Sequence, residues 1–287
     1  MPARSFPPDE DHDFPGDWSP GLDGIQNPIS WRTADDIADG PASGAGADDG
    51  RPASDEQPAD DSYWTLSRTP LTSLAFTLPL VLAYEGGVLL LGRGSSRNGA
   101  DVWLRQALDG LGFGQYFLLP VLTVVGLLAW HHVQHDRWKF SPAVLVGMCV
   151  ECVILALLLV GLARLRSRIW PLALGDGAAA LLGRFVGYCG AGLYEEVLFR
   201  LLMLPAVAWA CARFGAAPGA AAAWSVFITS LVFSAAHYVG PLGDTFDLHS
   251  FAFRALAGIF FATLFLVRGF GIAAGTHAAY DMIVGLF

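Results

Sequence analysis

Charge is what this sequence has least of. Only 15% of its 287 residues are Asp, Glu, Lys or Arg, against roughly 25% in a soluble domain. It contains a single lysine, Lys139. The shortage is sharper than the percentage, because charge is concentrated at one end. Residues 1–62 hold 15 acidic and 3 basic residues, a net of −12, while the other 11 acidic and 14 basic residues sum to +3. The overall −9 therefore describes one segment and not the rest of the chain. No nucleic-acid partner is expected. Cysteine is also scarce. Cys149 and Cys152 form the one C-x-x-C, inside an apolar run and without a second pair, so small apolar packing is expected there and not a redox or zinc site. There is no H-E-x-x-H helix and no G-x-S-x-G elbow, which excludes the commoner zinc-protease and serine-hydrolase motifs. Period-two alternation and internal repeats are absent too, so neither a β-barrel nor a solenoid is expected.

Two kinds of sequence are present instead. Residues 1–62 are rich in Pro, Asp, Gly, Ala and Ser and show no apolar periodicity. Such a segment cannot bury enough apolar surface to offset its ordering entropy, so a disordered acidic tail is expected. It lacks the basic start and apolar centre of a secretory signal. From residue 63 onward, apolar runs follow one another: 71–92, 111–130, 142–163, 221–236, 251–267 and 270–287, with one long or two broken helices over 177–210. Each run is about long enough to cross a bilayer at 1.5 Å per residue. In series they predict an all-α, polytopic transmembrane bundle of about six to eight spans over residues 63–287. Arginines at 93, 97, 105, 164, 166 and 168, in the loops after the first and third runs, favour that side as cytoplasmic.

An ionisable residue inside a membrane span costs a few kcal/mol, so its presence points to a partner or a cavity. The candidates are Glu85, Glu151, Arg184, Glu195, Glu196, Arg200, His237, His277 and Asp281, and the last six fall in the C-terminal half. In "YEEVLFR", Glu196 and Arg200 are i and i+4 on a helix, acid first, the favoured order for an ion pair. Glu195 points about 100° away, by the helical period, and stays available as a base. His277 and Asp281 are also i and i+4, so the acid can fix the orientation of the imidazole. His237 closes an apolar run. A carboxylate with a histidine can activate water, and a second histidine can polarise a carbonyl. The same groups could bind zinc through His237, His277 and a carboxylate.

The order E-E-x-x-x-R, F-x-x-x-H and H-x-x-x-N/D resembles that of the CAAX-protease and bacteriocin-processing family of intramembrane endopeptidases. Here the motifs read Glu195-Glu196 with Arg200, Phe233 with His237, and His277 with Asp281. The resemblance covers roughly residues 175–287, taken as the catalytic core. It implies a helical membrane enzyme in which Glu195 and His237 activate water. His277 and Asp281 would polarise the carbonyl, and Glu196 with Arg200 would shape the site. No cofactor is required by this reading, with zinc left open. Asp281 stands where eukaryotic members carry Asn, and an ionised Asp cannot donate to an oxyanion. A membrane-anchored peptide or protein is the expected substrate. The Ala-, Gly- and Arg-rich composition suggests a bacterial inner membrane. Two rivals are a proton-coupled transporter and a non-catalytic scaffold or immunity protein. Convergence of Glu195, His237 and His277 on one water-sized space would favour the enzyme.

Overall fold

The computed structural model describes residues 62–286 apart from 93–96, 115, 140, 167–176, 241 and 242. The acidic tail expected over 1–62 lies outside the described residues except for Ser62, as do Arg93 and Arg168 and the side chains of Arg164 and Arg166. The regular secondary structure of the described residues is all helical, with no strand. The helices are α1 (Tyr63–Leu66), α2 (Pro70–Leu91), α3 (Gly99–Gly110), α4 (Leu118–Val133), α5 (Pro142–Arg166) and α6 (Ala178–Gly190). Two π-helical stretches follow, π1 (Ala191–Glu195) and π2 (Val197–Met203), and then α7 (Leu204–Arg213), α8 (Pro218–Ala236), α9 (Leu248–Arg268) and α10 (Phe270–Leu286).

Pro70–Leu91, Pro142–Ala163, Pro218–Ala236 and Leu248–Arg268 are long and apolar enough to cross a membrane. They coincide closely with four of the runs read from the sequence. The run 111–130 is shortened at its start, because Gly112 adopts φ 85° and the helix begins only at Leu118. The last two helices, α9 and α10, are separated by one residue. Gly269 has φ 87°, a left-handed conformation suited to glycine, and its amide donates to the Phe265 carbonyl at 3.0 Å to end α9.

Helix α10 lies at the centre and packs against α5, α9, α2, α6 and π1. Its buried face is built from Gly271, Ala273, Ala274 and Ala278, with Phe270 and Ile272. Small residues let helix backbones approach closely, which is how helices associate where lipid removes the usual hydrophobic drive. The outer faces of α5 and α8 are apolar and exposed, as Val146, Ile154, Leu158, Trp224 and Phe227 illustrate. That is the inside-out pattern of a bundle whose solvent is lipid.

Glu85 and Glu151 are ion-paired away from the C-terminal motifs. Arg268 at the end of α9 reaches both carboxylate oxygens of Glu151 on α5, at 2.7 and 2.8 Å. Its guanidinium also donates to Ser67 Oγ at 2.9 Å and lies 4.3 Å over the Trp64 ring. Tyr63 donates to the same Glu151 carboxylate. The short α1 is thereby tied to α5 and α9. A chain starting at Ser62 is expected to insert and to unfold thermally within a few degrees of the full chain. Starting instead at Arg68 removes the Tyr63, Trp64 and Ser67 contacts and is expected to cost about 1–3 kcal/mol. Thermal unfolding in nanodiscs measures both, and equal stability of the two truncations would contradict the role of α1.

Candidate active site

The stretch 190–205 does not run as one ideal α-helix. Through π1 and π2 the backbone hydrogen bonds shift from i→i+4 toward i→i+5, a widening often found at functional sites. The 100° spacing expected from an α-helix therefore does not apply to the two glutamates. They nevertheless point to different partners.

Glu196 is fully buried. Its Oε1 lies 3.1 Å from Arg200 Nη1 and accepts from His277 Nδ1 at 2.7 Å. The arginine contact is close but not aligned as a hydrogen bond. Arg200, only 1% exposed, donates through Nη2 to the Gly258 carbonyl at 3.2 Å. Its guanidinium lies 4.4 Å over the Phe233 ring and 5.6 Å over Phe261. The delocalised plane of arginine suits such a site better than a point ammonium.

Glu195 faces the other way. Its Oε1 accepts from Asn98 Nδ2 at 2.8 Å. Its Oε2 accepts no hydrogen bond among the described residues and lies 3.9 Å from Nε2 of both His237 and His277. That separation is longer than a hydrogen bond and short enough for a water to bridge.

His237 caps the C-terminus of α8, and its Nδ1–H donates to the Phe233 carbonyl at 2.8 Å. A carbonyl only accepts, so the proton is on Nδ1 and a neutral His237 presents a lone pair at Nε2. His277 projects from α10 with its ring stacked on Phe261 at 4.5 Å and 13°. Phe233 meets it edge-on at 5.9 Å. Asp281 lies one turn further, its Oδ2 3.6 Å from His277 Nε2. All six residues singled out from the sequence are thus brought together, from π1, its junction with π2, π2 itself, the C-cap of α8 and α10. Three neighbours were not singled out. Asn98 sits in the connection before α3 and has no motif to mark it. Phe261 reads as an ordinary apolar position of α9. Gly258 contributes only its carbonyl.

Residues 177–283 match the family described as Rce1-like type II CAAX prenyl endopeptidase. The chain carries an Rce1-like CAAX-endopeptidase domain. All six residues lie inside the matched segment, while Asn98 lies outside it. No curated protein and no solved structure matches the chain significantly. The match over residues 177–283 points to a CAAX-type intramembrane protease acting on a protein or peptide in the membrane. With its four long apolar helices the chain is an integral, multi-pass membrane protein.

A catalytic zinc needs three protein ligands and an open position. Among the described residues no three His, Cys, Asp or Glu side chains are placed to hold a metal ion. Around this Rce1-like site, Glu196 is engaged by Arg200 and His277, and Glu195 Oε1 by Asn98.

The backbones of π1 and α10 touch. A Cβ on Gly192 would come within 2.6 Å of both the amide nitrogen and Cβ of Ala278, and 2.8 Å of the Ala274 carbonyl oxygen. Backbone atoms cannot yield as a flexible side chain would. Gly192→Ala is expected to push α10 away from π1 and carry His277, the neighbour of Ala278, off Glu196. A shift of about 1 Å can cost about 10²-fold in rate, and overpacking adds about 1–3 kcal/mol of destabilisation. Cleavage rate and thermal unfolding measured together check this, and an active, stable Gly192→Ala enzyme would contradict it.

Proposed function

We propose that the chain is a glutamate-type endopeptidase that hydrolyses a peptide bond of a membrane-anchored protein or peptide, with no required metal. The observation that supports this most is the placement of Glu195 Oε2, without a hydrogen bond among the described residues and 3.9 Å from Nε2 of both histidines. A water in that gap gives up a proton to Glu195 while His237 Nε2 accepts its second hydrogen bond. The hydroxide formed attacks the scissile carbonyl carbon. Both nitrogens of His277 face carboxylate oxygens, Nδ1 toward Glu196 and Nε2 toward Asp281 and Glu195. Its imidazolium form donates on both sides, and Nε2–H is the donor for the developing oxyanion. Collapse of the tetrahedral intermediate breaks the C–N bond, and the proton held by Glu195 passes to the leaving amine. Asp281 orients His277 and does not itself donate, which accommodates Asp where other members carry Asn. Glu196 and Arg200 hold the frame.

Residues 63–287 constitute the membrane domain in this reading, with about 175–287 the catalytic core. Counting α4, α10 and the α6–α7 run beside the four long helices gives about six to eight crossings. The composition favours a bacterial inner membrane.

The test is a comparison of C-terminal peptides from membrane proteins of cells producing the wild-type chain or Glu195→Gln. New C-termini confined to the wild-type sample are expected. Identical C-termini in both would overturn the protease reading.

A further inference from the structure

Asn98 lies 97 residues before Glu195 in sequence, yet its side chain is used at both ends. Its Oδ1 accepts from the Ala100 amide at 2.8 Å and caps α3. Its Nδ2 donates to Glu195 Oε1 at 2.8 Å. The opposite amide orientation would set oxygen against carboxylate and NH₂ against an amide N–H, so this one is fixed by its partners. Capping alone does not call for asparagine, because serine and aspartate cap about as well. What asparagine adds is the donor.

The loop that carries Asn98 is locked in place by a buried circuit. The Asn98 amide donates to Tyr84 Oη at 3.1 Å, and Tyr84 donates to Asp101 Oδ2 at 2.8 Å. Asp101 accepts from Arg105 Nε at 2.6 Å, and Arg105 Nη2 reaches Glu85 Oε1 at 2.9 Å. The same Glu85 oxygen accepts from Tyr194 at 2.6 Å. Tyr194 precedes Glu195 directly, so the circuit closes through the chain. Tyr84, Asp101 and Tyr194 are fully buried. Arg97, read from the sequence as a loop charge, is also drawn in, pairing with Asp101.

We propose that Asn98 is a positioning residue of the active site, whose side-chain amide occupies Glu195 Oε1 and so leaves Oε2 as the oxygen presented to His237 and His277. A carboxylate has two equivalent oxygens and a broad, roughly two-fold terminal torsion. A donor fixed on one of them breaks that equivalence and holds the plane. The enzyme then depends on the α2–α3 connection, outside the matched 177–283 segment. This inference rests on the reading of Glu195 as the base.

The test uses the full-length chain in nanodiscs, labelled with [13Cδ]glutamate. The sequence contains six glutamates, so the spectrum is simple, and the Glu195 resonance is the one lost in Glu195→Gln. Asn98→Ser keeps a capping oxygen and removes the amide donor, and Asn98→Ala removes both. The Glu195 resonance is expected to move in both variants. Turnover of a membrane-anchored peptide found by the C-terminal comparison is expected to fall about ten- to a hundredfold in both, with KM within about twofold. Thermal stability should fall in Asn98→Ala and stay near wild type in Asn98→Ser. An unmoved Glu195 resonance, or a fully active Asn98→Ser enzyme, would overturn the inference and leave Asn98 as a cap. Persistent cleavage by Glu195→Gln would instead remove the base assignment, while the resonance would still decide whether Asn98 holds Glu195.

Discussion

Glu195→Gln is expected to lower the cleavage rate by about 10²–10⁴-fold, the usual worth of a general base, while leaving the protein folded. Glutamine keeps the shape and an oxygen that can accept from Asn98. What it loses is the ability to take a proton at the position facing the two histidines. Its amide nitrogen can donate to the lone pair of His237 Nε2, and His277 Nε2 keeps the Asp281 carboxylate at 3.6 Å. His237→Ala should also be slow. In the proposed mechanism both groups act on one water, so the double variant should be little slower than the worse single one. Rates and thermal unfolding of the three variants are the measurements. Near-normal turnover by Glu195→Gln would end the assignment, and independent, multiplying losses would separate His237 from Glu195.

Arg200→Ala should fail in the opposite manner, through stability. The guanidinium is 1% exposed and lies against Glu196, the Gly258 carbonyl and the ring of Phe233. Removing it strands a buried carboxylate, and breaking a buried pair from one side costs about 3–5 kcal/mol. Glu196 also holds His277 at 2.7 Å, so the loss spreads to the imidazole. Arg200→Lys is expected to recover only part of the stability, because an ammonium cannot reproduce the flat contact with Phe233. Denaturation in nanodiscs decides the matter. An Arg200→Ala protein as stable as wild type would show that the pair does not hold the frame.

The contrast between the two glutamates was legible in the sequence from the acid-first i, i+4 spacing of Glu196 and Arg200. That spacing gives the same pairing whether or not the helix is widened. The π register was not legible, because it depends on how residues 190–205 pack against α10. The four long helices were legible because their apolar runs match their lengths. The shortened α4 and the break at Gly269 depend on glycines at positive φ, and the sequence does not say which glycines adopt it. His277 with Asp281 could be paired on one helix by spacing. The shorter contact of His277, to Glu196 on another segment, depends on the close approach of π1 to α10 at Gly192. Asn98 was invisible for a similar reason, since the side chain that meets Glu195 belongs to a connection whose position is set by buried ion pairs and tyrosines.

The chemistry proposed for Glu195 requires that it be a base and not a metal ligand. The most direct test is metal analysis of purified, active enzyme together with phenanthroline treatment, assayed on a membrane-anchored peptide found by the C-terminal comparison. Cleavage at full rate with metal far below one ion per chain, and no loss on chelation, is the expected result. Stoichiometric zinc, loss of cleavage when it is removed and recovery when it is returned would contradict it and make Glu195 a ligand.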